Sequence, residues 1–365
     1  MKVLFQLMPK KELRVGGGSV RMQEIAKELR RAGVTVDVTE KEAPPLAKYD
    51  LLHFWDYDEV TTYRQAARAR KAGVPYVVSP IAINTDLFGM LHEANAAWRM
   101  LARTVGHSAA LALFARWTDR RVRNNPVWQR THELLDRAAM LLPTSEKEER
   151  FIRRRYRTEA PIQVTPNGIP KEYFAKARPD RFKRKHGLAD VRFVLNAART
   201  EVLKNQLGLV QAIVGTGLTL AVAGPITGYG KAYWDRCAAE AKRLGVPLKH
   251  VGNLSTQELR DAYAAAEAHV LCSWYETTGQ VSLQAAATGC PIVQTEQSPH
   301  REYFGDLAET CRPESPRDIR RAILRAVTMP ASRRRALQRR MRRYTWEWSA
   351  KETLKGYRSV LRKRR

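Results

Sequence analysis

Cysteine is scarce in this chain: Cys237, Cys272, Cys290 and Cys311 are the only four in 365 residues, all in the second half, with no C-x2-C pair and no matching histidine spacing. This excludes a disulfide framework or a zinc site as the organising feature and fits small buried apolar residues in a reducing compartment. Long apolar runs are missing too. None approaches the roughly 20 residues that a membrane-spanning helix requires. The apolar start at residues 2–8 is too short for a signal-peptide core and runs straight into Lys10 and Lys11, so a cytosolic protein is expected. There is no repeat of fixed period and no low-complexity linker. Acids are in deficit, 37 Asp and Glu against 64 Lys and Arg, a formal net charge of +27.

That charge predicts attraction to polyanions that weakens as salt rises. Nucleic acid, an anionic membrane surface and a merely solvated basic exterior all satisfy it. Basic residues gather at 116–130, 150–157, 333–343 and 362–365, with Trp117, Trp128, Phe151 and Tyr156 within the first two clusters and Phe114 just before the first. Rings interleaved with cations favour an interfacial contact, with rings at headgroup depth and cations on anionic lipid. At 44% apolar residues the chain is globular, and its length accommodates two domains.

Short apolar runs alternate with helical patterns, which predicts parallel sheets covered by helices. Strands are expected at 3–8, 34–38, 50–55 and 74–79, with helices at 19–32 and 59–72. Residues 86–136 read as two or three helices without a strand, and 139–143 and 161–165 as the last strands of this half. A charged linker is placed at 175–189, and the alternation restarts from 191: strands at 191–197, 218–223, 247–251 and 268–272, helices at 205–214, 229–244 and 255–266. Two tandem doubly wound, Rossmann-like α/β domains facing a cleft are therefore expected, at 1–174 and 190–345, with a final helix within 346–365 crossing back to the first domain. Such sheets bind ligands at the carboxyl ends of their strands.

The most informative stretch runs from Tyr275 through Glu276, Thr277, Thr278, Gly279 and Gln280 to Gln284 and Ala285. A strand that ends in a glycine turn and opens a helix aims backbone N–H groups and a helix dipole at an anion. Gln284, between one and two turns into that helix, can meet a ribose while Glu276 meets a sugar hydroxyl. Arg199 and Lys204 also follow a strand and precede a helix, where cations neutralise charge growing on a diphosphate. Gly16, Gly17 and Gly18 open the first helix and permit close approach to a ligand, but no G-K-[ST] follows them and a third spaced glycine is lacking. Asp56 and Asp58 spell a D-x-D pair, either a divalent-metal site or a solvated loop. His53 closes a strand, where a polar cap is the ordinary role.

With these residues the chain resembles the retaining, nucleotide-sugar-dependent glycosyltransferases of the GT-B fold, family 4 type. The 276–284 segment is similar to their E-x7-E signature, with Gln284 in place of the second acid. The element from Arg199 to Asn205 resembles their G-R-x4-K-N motif, with Ala198 in place of the glycine. A histidine or arginine of the family is missing after Pro80, where Ile81 stands. Residues 142–146, 164–169, 251–254, 289–293, 301–303 and 344–348 extend the likeness along nearly the whole chain. The resemblance implies transfer of a hexose from a nucleoside diphosphate sugar to a hydroxyl acceptor with retention. It assigns Arg199, Lys204 and Glu276 to catalysis, and Gly17, Gly18, Thr278, Gly279, Gln280 and Gln284 to the donor diphosphate and nucleotide. His53 falls on the acceptor side. No cofactor or metal is expected, because the cationic clamp makes the ion redundant. The expected partners are a nucleotide sugar, a lipid-linked or cell-envelope glycan acceptor, and the anionic inner membrane face. Two rival readings stand beside this one: a GT-B binding protein without turnover, prompted by Gln284 and Ile81, and a basic nucleic-acid binder, which lacks any RNP-like, KH-like or zinc-finger pattern.

Overall fold

The computed structural model describes residues 1–6, 17–55, 57 and 60–363. The expected end of the first strand, Gly16 and both acids of the D-x-D pair, Asp56 and Asp58, lie outside the described residues. The chain divides into two compact units, Met1–Gly168 with Thr345–Arg365, and Ile169–Tyr344.

The first unit carries β1 (Lys2–Gln6), α1 (Gly17–Arg31), β2 (Thr35–Thr39), β3 (Leu51–Phe54), α2 (Val60–Lys71) and β4 (Tyr76–Val78). There follow α3 (Asp86–Phe88), a π-helical turn Gly89–Glu93, α4 (Ala96–Val105), α5 (His107–Val122), α6 (Pro126–Asp136), β5 (Met140–Leu141) and α7 (Glu146–Tyr156). Among the described residues its five strands are all parallel, in the order β2-β1-β3-β4-β5. Val3 and Phe5 point to one face and Leu4 to the other, and all three are buried, the pattern of a strand covered on both sides. Met22, Ile25, Ala26 and Leu29 form the inward stripe of α1.

Two sequence expectations are corrected. The strand expected at 161–165 is reduced to one bridge, Ile162 to Leu141, since Pro161 and Pro166 supply no N–H to a ladder. Residues 175–189 are not a linker but part of the second unit. They form α8 (Pro179–Lys185), which packs on α11 (Thr256–Ala265), buries Phe182 and Leu188, and bonds Arg178 N to Asp261 Oδ1 at 2.8 Å. The charged composition of that stretch hides its two apolar anchors.

The second unit continues with β6 (Phe193–Ala197), α9 (Gln206–Ile213), β7 (Thr219–Ala223), α10 (Gly228–Leu244), β8 (Leu248–Gly252), β9 (Ala268–Leu271) after α11, and α12 (Gln280–Ala287). It closes with β10 (Ile292–Thr295), α13 (His300–Phe304), β11 (Glu309–Cys311), α14 (Pro316–Val327) and α15 (Ala331–Met341). The sheet is parallel throughout, ordered β11-β10-β9-β6-β7-β8. Doubling back from β6 to β9 puts a topological switch point beside β6, and the loops after β6 and β9 are neighbours there.

The last helix, α16 (Trp346–Arg362), returns to the first unit and packs on α1, burying Trp346, Ala350, Leu354 and Tyr357. Thr345 caps it by accepting from Trp348 N. Where the two chain segments of this unit meet, a Cβ on Gly168 would stand 2.3 Å from Trp346 N, so only glycine fits.

Candidate active site

The loops that follow β6 and β9 are joined by direct bonds. Trp274 N donates to Leu203 O at 2.9 Å, and Asn205 Nδ2 reaches Cys272 O at 3.1 Å and Pro313 O at 2.8 Å. Among the described residues Asn205 is one of three non-glycine residues in the left-handed region, at φ 58°, which its short amide side chain tolerates. It ends the 3-10 turn Val202–Lys204 and starts α9. Gln206 Nε2 completes the frame by bonding Asn196 Oδ1 and Arg199 O.

In that frame Lys204 Nζ stands 2.7 Å from Glu276 Oε1, which also accepts from Ser273 Oγ at 2.7 Å. The lysine side chain is 19% exposed and the glutamate 11%, so the pair sits in a medium far less polarisable than bulk water while keeping an opening to solvent. The structure thus brings together two of the three expected catalytic residues. Arg199 is not held with them: its guanidinium pairs with Glu201 at 3.4 Å and is 48% exposed.

Gly279 caps α12 in the left-handed region, φ 72° and ψ 61°, and a Cβ there would lie 2.4 Å from Gln294 Nε2. That amide donates to Thr278 O at 3.1 Å, linking the turn to β10. No acidic side chain lies in the first turn of α12, and Glu276, the acid just before it, is already paired with Lys204, so the positive end of the helix remains available to an anion. Thr278 Oγ1, Ser282 Oγ and Gln294 Oε1 are buried around this turn without a hydrogen-bond partner among the described residues. Gln280 begins the helix, and Gln284, one turn further, is partly buried.

Ser273, Asn205 and Gln294 shape this site, yet sequence reasoning assigned none of them a role. The sequence signal for Asn205 was its place directly after Lys204. Gln294 carries none, because it acts from β10, a strand that only the sheet order lays beside the turn, and Ser273 acts locally on Glu276, three residues on, with a residue type too common in loops to mark it.

The residues expected from the first unit are described within that unit. Gly17 and Gly18 open α1, and a Cβ on Gly18 would touch Ile81 Cδ1 at 3.3 Å. Ile81, at φ 50°, is a strained β-branched residue. It is followed by Ala82, whose N–H donates to Glu148 Oε1 at 2.8 Å. Thr144 N and Oγ1 both donate to the other oxygen of Glu148. Burial pushes the pKa of Glu148 up against the pull of those donors. A buried carboxylate thereby clamps the turn that carries Ile81.

The acceptor-side expectation for His53 does not fit the structure. His53 is fully buried and stacked on Trp55, with Nδ1 2.5 Å from Tyr357 Oη and Nε2 2.9 Å from Ser79 Oγ. Tyr357 donating to Nδ1, Nε2–H donating to Ser79, and Ser79 donating to Leu142 O make one consistent chain through the neutral ring. Burial, then the nearby Arg21 charge, holds its pKa well below the usual histidine value. His53 joins α16 to the sheet, and both of its nitrogens are occupied in doing so.

Residues 179–345 match the family model described as glycosyl transferases group 1. The whole chain superposes on sucrose-phosphate synthase from Thermosynechococcus elongatus with TM-score 0.76 at 17% identity, covering 98% of each chain. It also superposes on HepE of Anabaena in complex with UDP, TM-score 0.74 at 16% identity over 98% of this chain and 100% of that one.

The fold is GT-B. Its two sheets are the two Rossmann-like domains of that architecture. Among curated relatives, O-antigen chain mannosyltransferase B of Escherichia coli is 25% identical over 237 residues, 62% of this chain and 62% of the relative. A D-inositol 3-phosphate glycosyltransferase of Pseudarthrobacter chlorophenolicus is 27% identical over 173 residues, 45% of this chain and 41% of the relative. The chain spans less than two thirds of the length of these relatives. The 179–345 domain, which contains every residue of the Lys204–Glu276 site, is the part similar to group 1 glycosyl transferases.

Proposed function

We propose that this protein is a glycosyltransferase that moves a hexose from a nucleoside diphosphate sugar to a hydroxyl acceptor, with retention, in the manner of family 4. The observation that carries this reading is the Lys204–Glu276–Ser273 constellation beside the unneutralised N-terminus of α12, inside the domain that matches the group 1 model. Supporting it, the buried, unpartnered Thr278 Oγ1 and Ser282 Oγ offer polar contacts at the same turn.

In this mechanism the diphosphate lies on the amides that open α12 and draws the Lys204 ammonium, which stabilises the charge on the leaving group as the glycosidic bond breaks. Arg199, half exposed beside Glu201, exchanges that partner for the diphosphate. Glu276, released from Lys204, orients a hydroxyl of the donor sugar while Ser273 keeps its carboxylate in place. Gln284 holds the ribose as a neutral hydrogen-bonding group. With ammonium, guanidinium and helix amides available, no metal is required. Because His53 is consumed in the core, no general base is assigned on the acceptor side, and the leaving phosphate takes the acceptor proton.

The basic first unit favours a lipid-linked or cell-envelope glycan acceptor and a cytoplasmic, membrane-peripheral location. HepE is described in complex with UDP-glucose, which makes UDP sugars the first donors to try. The test is a thermal-shift and turnover screen with UDP, GDP and ADP and their sugars. Stabilisation by one nucleotide and hydrolysis or transfer from its sugar is expected. Binding without turnover on any acceptor would instead identify a protein that only binds the donor, and no stabilisation by any nucleotide would remove the reading.

A further inference from the structure

Between Ala94 and Thr118, bounded by Glu93 and Asp119, the chain has no acidic residue, while Arg99, Arg103 and Arg116 lie in that window and Arg120 and Arg121 come just after Asp119. This window is the α4–α5 hairpin, turned at Gly106. Its inner side is closed: Ala102, Ala110, Phe114 and Ala115 are buried. Asp119 and Asp86 face inward, Asp119 pairing with Arg155 at 2.9 Å and Asp86 with Arg154 at 2.5 Å, while Glu93, just before the window, is exposed at the start of the hairpin.

The outer side is unlike an ordinary solvated helix face. Met100 is 65% exposed, and Val105, Leu113 and Trp117 are exposed as well. Leu113 and Trp117 are one turn apart on α5, with Arg116 and Arg120 beside them. The Trp117 ring is held rather than dangling, 5.6 Å from both Trp98 and Phe114, with the Arg121 guanidinium 5.2 Å above it. No helix among the described residues is long and apolar enough to cross a membrane.

We propose that the outer face of the α4–α5 hairpin is a docking surface for an anionic lipid bilayer. Met100, Val105, Leu113 and Trp117 enter the boundary between headgroups and acyl chains, and the arginines pair with lipid phosphates. Charge of a single sign fits anionic headgroups, and large exposed apolar side chains between those charges fit a medium that accepts both, as a nucleic-acid backbone does not. The inference goes beyond the transferase reading and needs no nucleotide to test, so the two fail separately.

The full chain is sedimented with vesicles of phosphatidylcholine alone or with about 30% phosphatidylglycerol, in about 0.1 M salt, where the screening length is near 10 Å. Sedimentation with the anionic vesicles and not with the neutral ones is expected. Replacing Arg99, Arg103 and Arg116 together by Gln should weaken partitioning by about a hundredfold, about fivefold per arginine. The pair M100E and L113E should weaken it at least about tenfold through lost apolar insertion. The single V105E variant, at the exposed hairpin tip, checks the direction independently, and unchanged melting temperatures show that each variant folds. Absence of binding to anionic vesicles would overturn the proposal. So would partitioning unaffected by M100E/L113E and V105E, which would place the contact on another basic cluster. Displacement from vesicles by a short RNA whose own binding is weakened only by the arginine changes would make the face a nucleic-acid surface instead.

Discussion

Replacing Lys204 by Met removes one charge from a pair whose atoms are 2.7 Å apart and whose side chains are 19% and 11% exposed. At an effective dielectric near 20, an ammonium about 4 Å from a diphosphate charge is worth about 4 kcal/mol. Loss of one donor aimed at developing charge typically costs about 3 to 4 kcal/mol in the barrier, or a factor of about 10² to 10³. Part of the attraction is already spent on Glu276 in the free protein, so the lower end is expected for kcat/KM. Folding stability should change too, since Glu276 keeps only the Ser273 hydroxyl, a loss of about 1 to 3 kcal/mol. The assay is steady-state transfer from the donor found in the nucleotide screen, with denaturation run on the same samples. The double variant Lys204→Met, Glu276→Gln separates the roles: it should recover stability, because no unpaired carboxylate remains, yet recover no activity. Transfer within about tenfold of wild type in Lys204→Met, alongside the stability loss, would mean that the pair only holds the two loops together and would refute the clamp.

Gly279→Ala forces a Cβ to 2.4 Å from Gln294 Nε2 in a left-handed turn, so a loss of about 2 to 3 kcal/mol and at least about tenfold weaker nucleotide binding are expected, checked by denaturation and titration. A stability change under about 0.5 kcal/mol would contradict that geometry. Gln284→Glu turns a neutral hydrogen bond to ribose into a charge-assisted one and should tighten nucleotide binding about fivefold, read by calorimetry; no change would show that Gln284 does not touch the nucleotide. Acid should destabilise the fold early. Burial lowers the pKa of His269 from 6.5 to about 3 and that of His53 well below 6.5, so the unfolded chain takes up these protons first. Their contribution is complete above about pH 6.5 and falls with decreasing pH, by up to about 1.4 kcal/mol per unit for each ring. Urea denaturation between pH 7 and pH 5 measures this, and a flat profile would show that the rings are hydrated.

Much of the architecture is legible in the chain because period is local. Buried strands such as residues 193–197 and 219–223 are short apolar runs, and each is followed by a helical pattern, which is enough for two parallel sheets. The expectation failed where composition misled. Residues 175–189 look like a charged tether because Phe182 and Leu188 are only two residues in a polar stretch, yet burying both recruits α8 into the second unit. For the site, the turn at Gly279 and the cation at Lys204 could be found from glycine and charge placed between a strand and a helix. The bond from Lys204 to Glu276 could not, since it spans 72 positions. His53 shows the reverse error: a histidine at a strand end looks available until Tyr357, 304 positions later, is folded against it.

The order of residues alone therefore determined the elements, the helix mouth at Gly279 and the excess of positive charge, because backbone conformation and net charge depend on near neighbours or on none. Only the tertiary structure decided which groups share a dielectric environment: that Lys204 meets Glu276 while Arg199 stays with Glu201, that His53 is buried and bonded on both nitrogens, and that Asp86 and Asp119 are buried against Arg154 and Arg155. The first follows from the sheet order, which lays β6 beside β9, the second from the return of α16, and the third from the packing of α7 against the helices before it, and none is encoded in any short stretch of the chain.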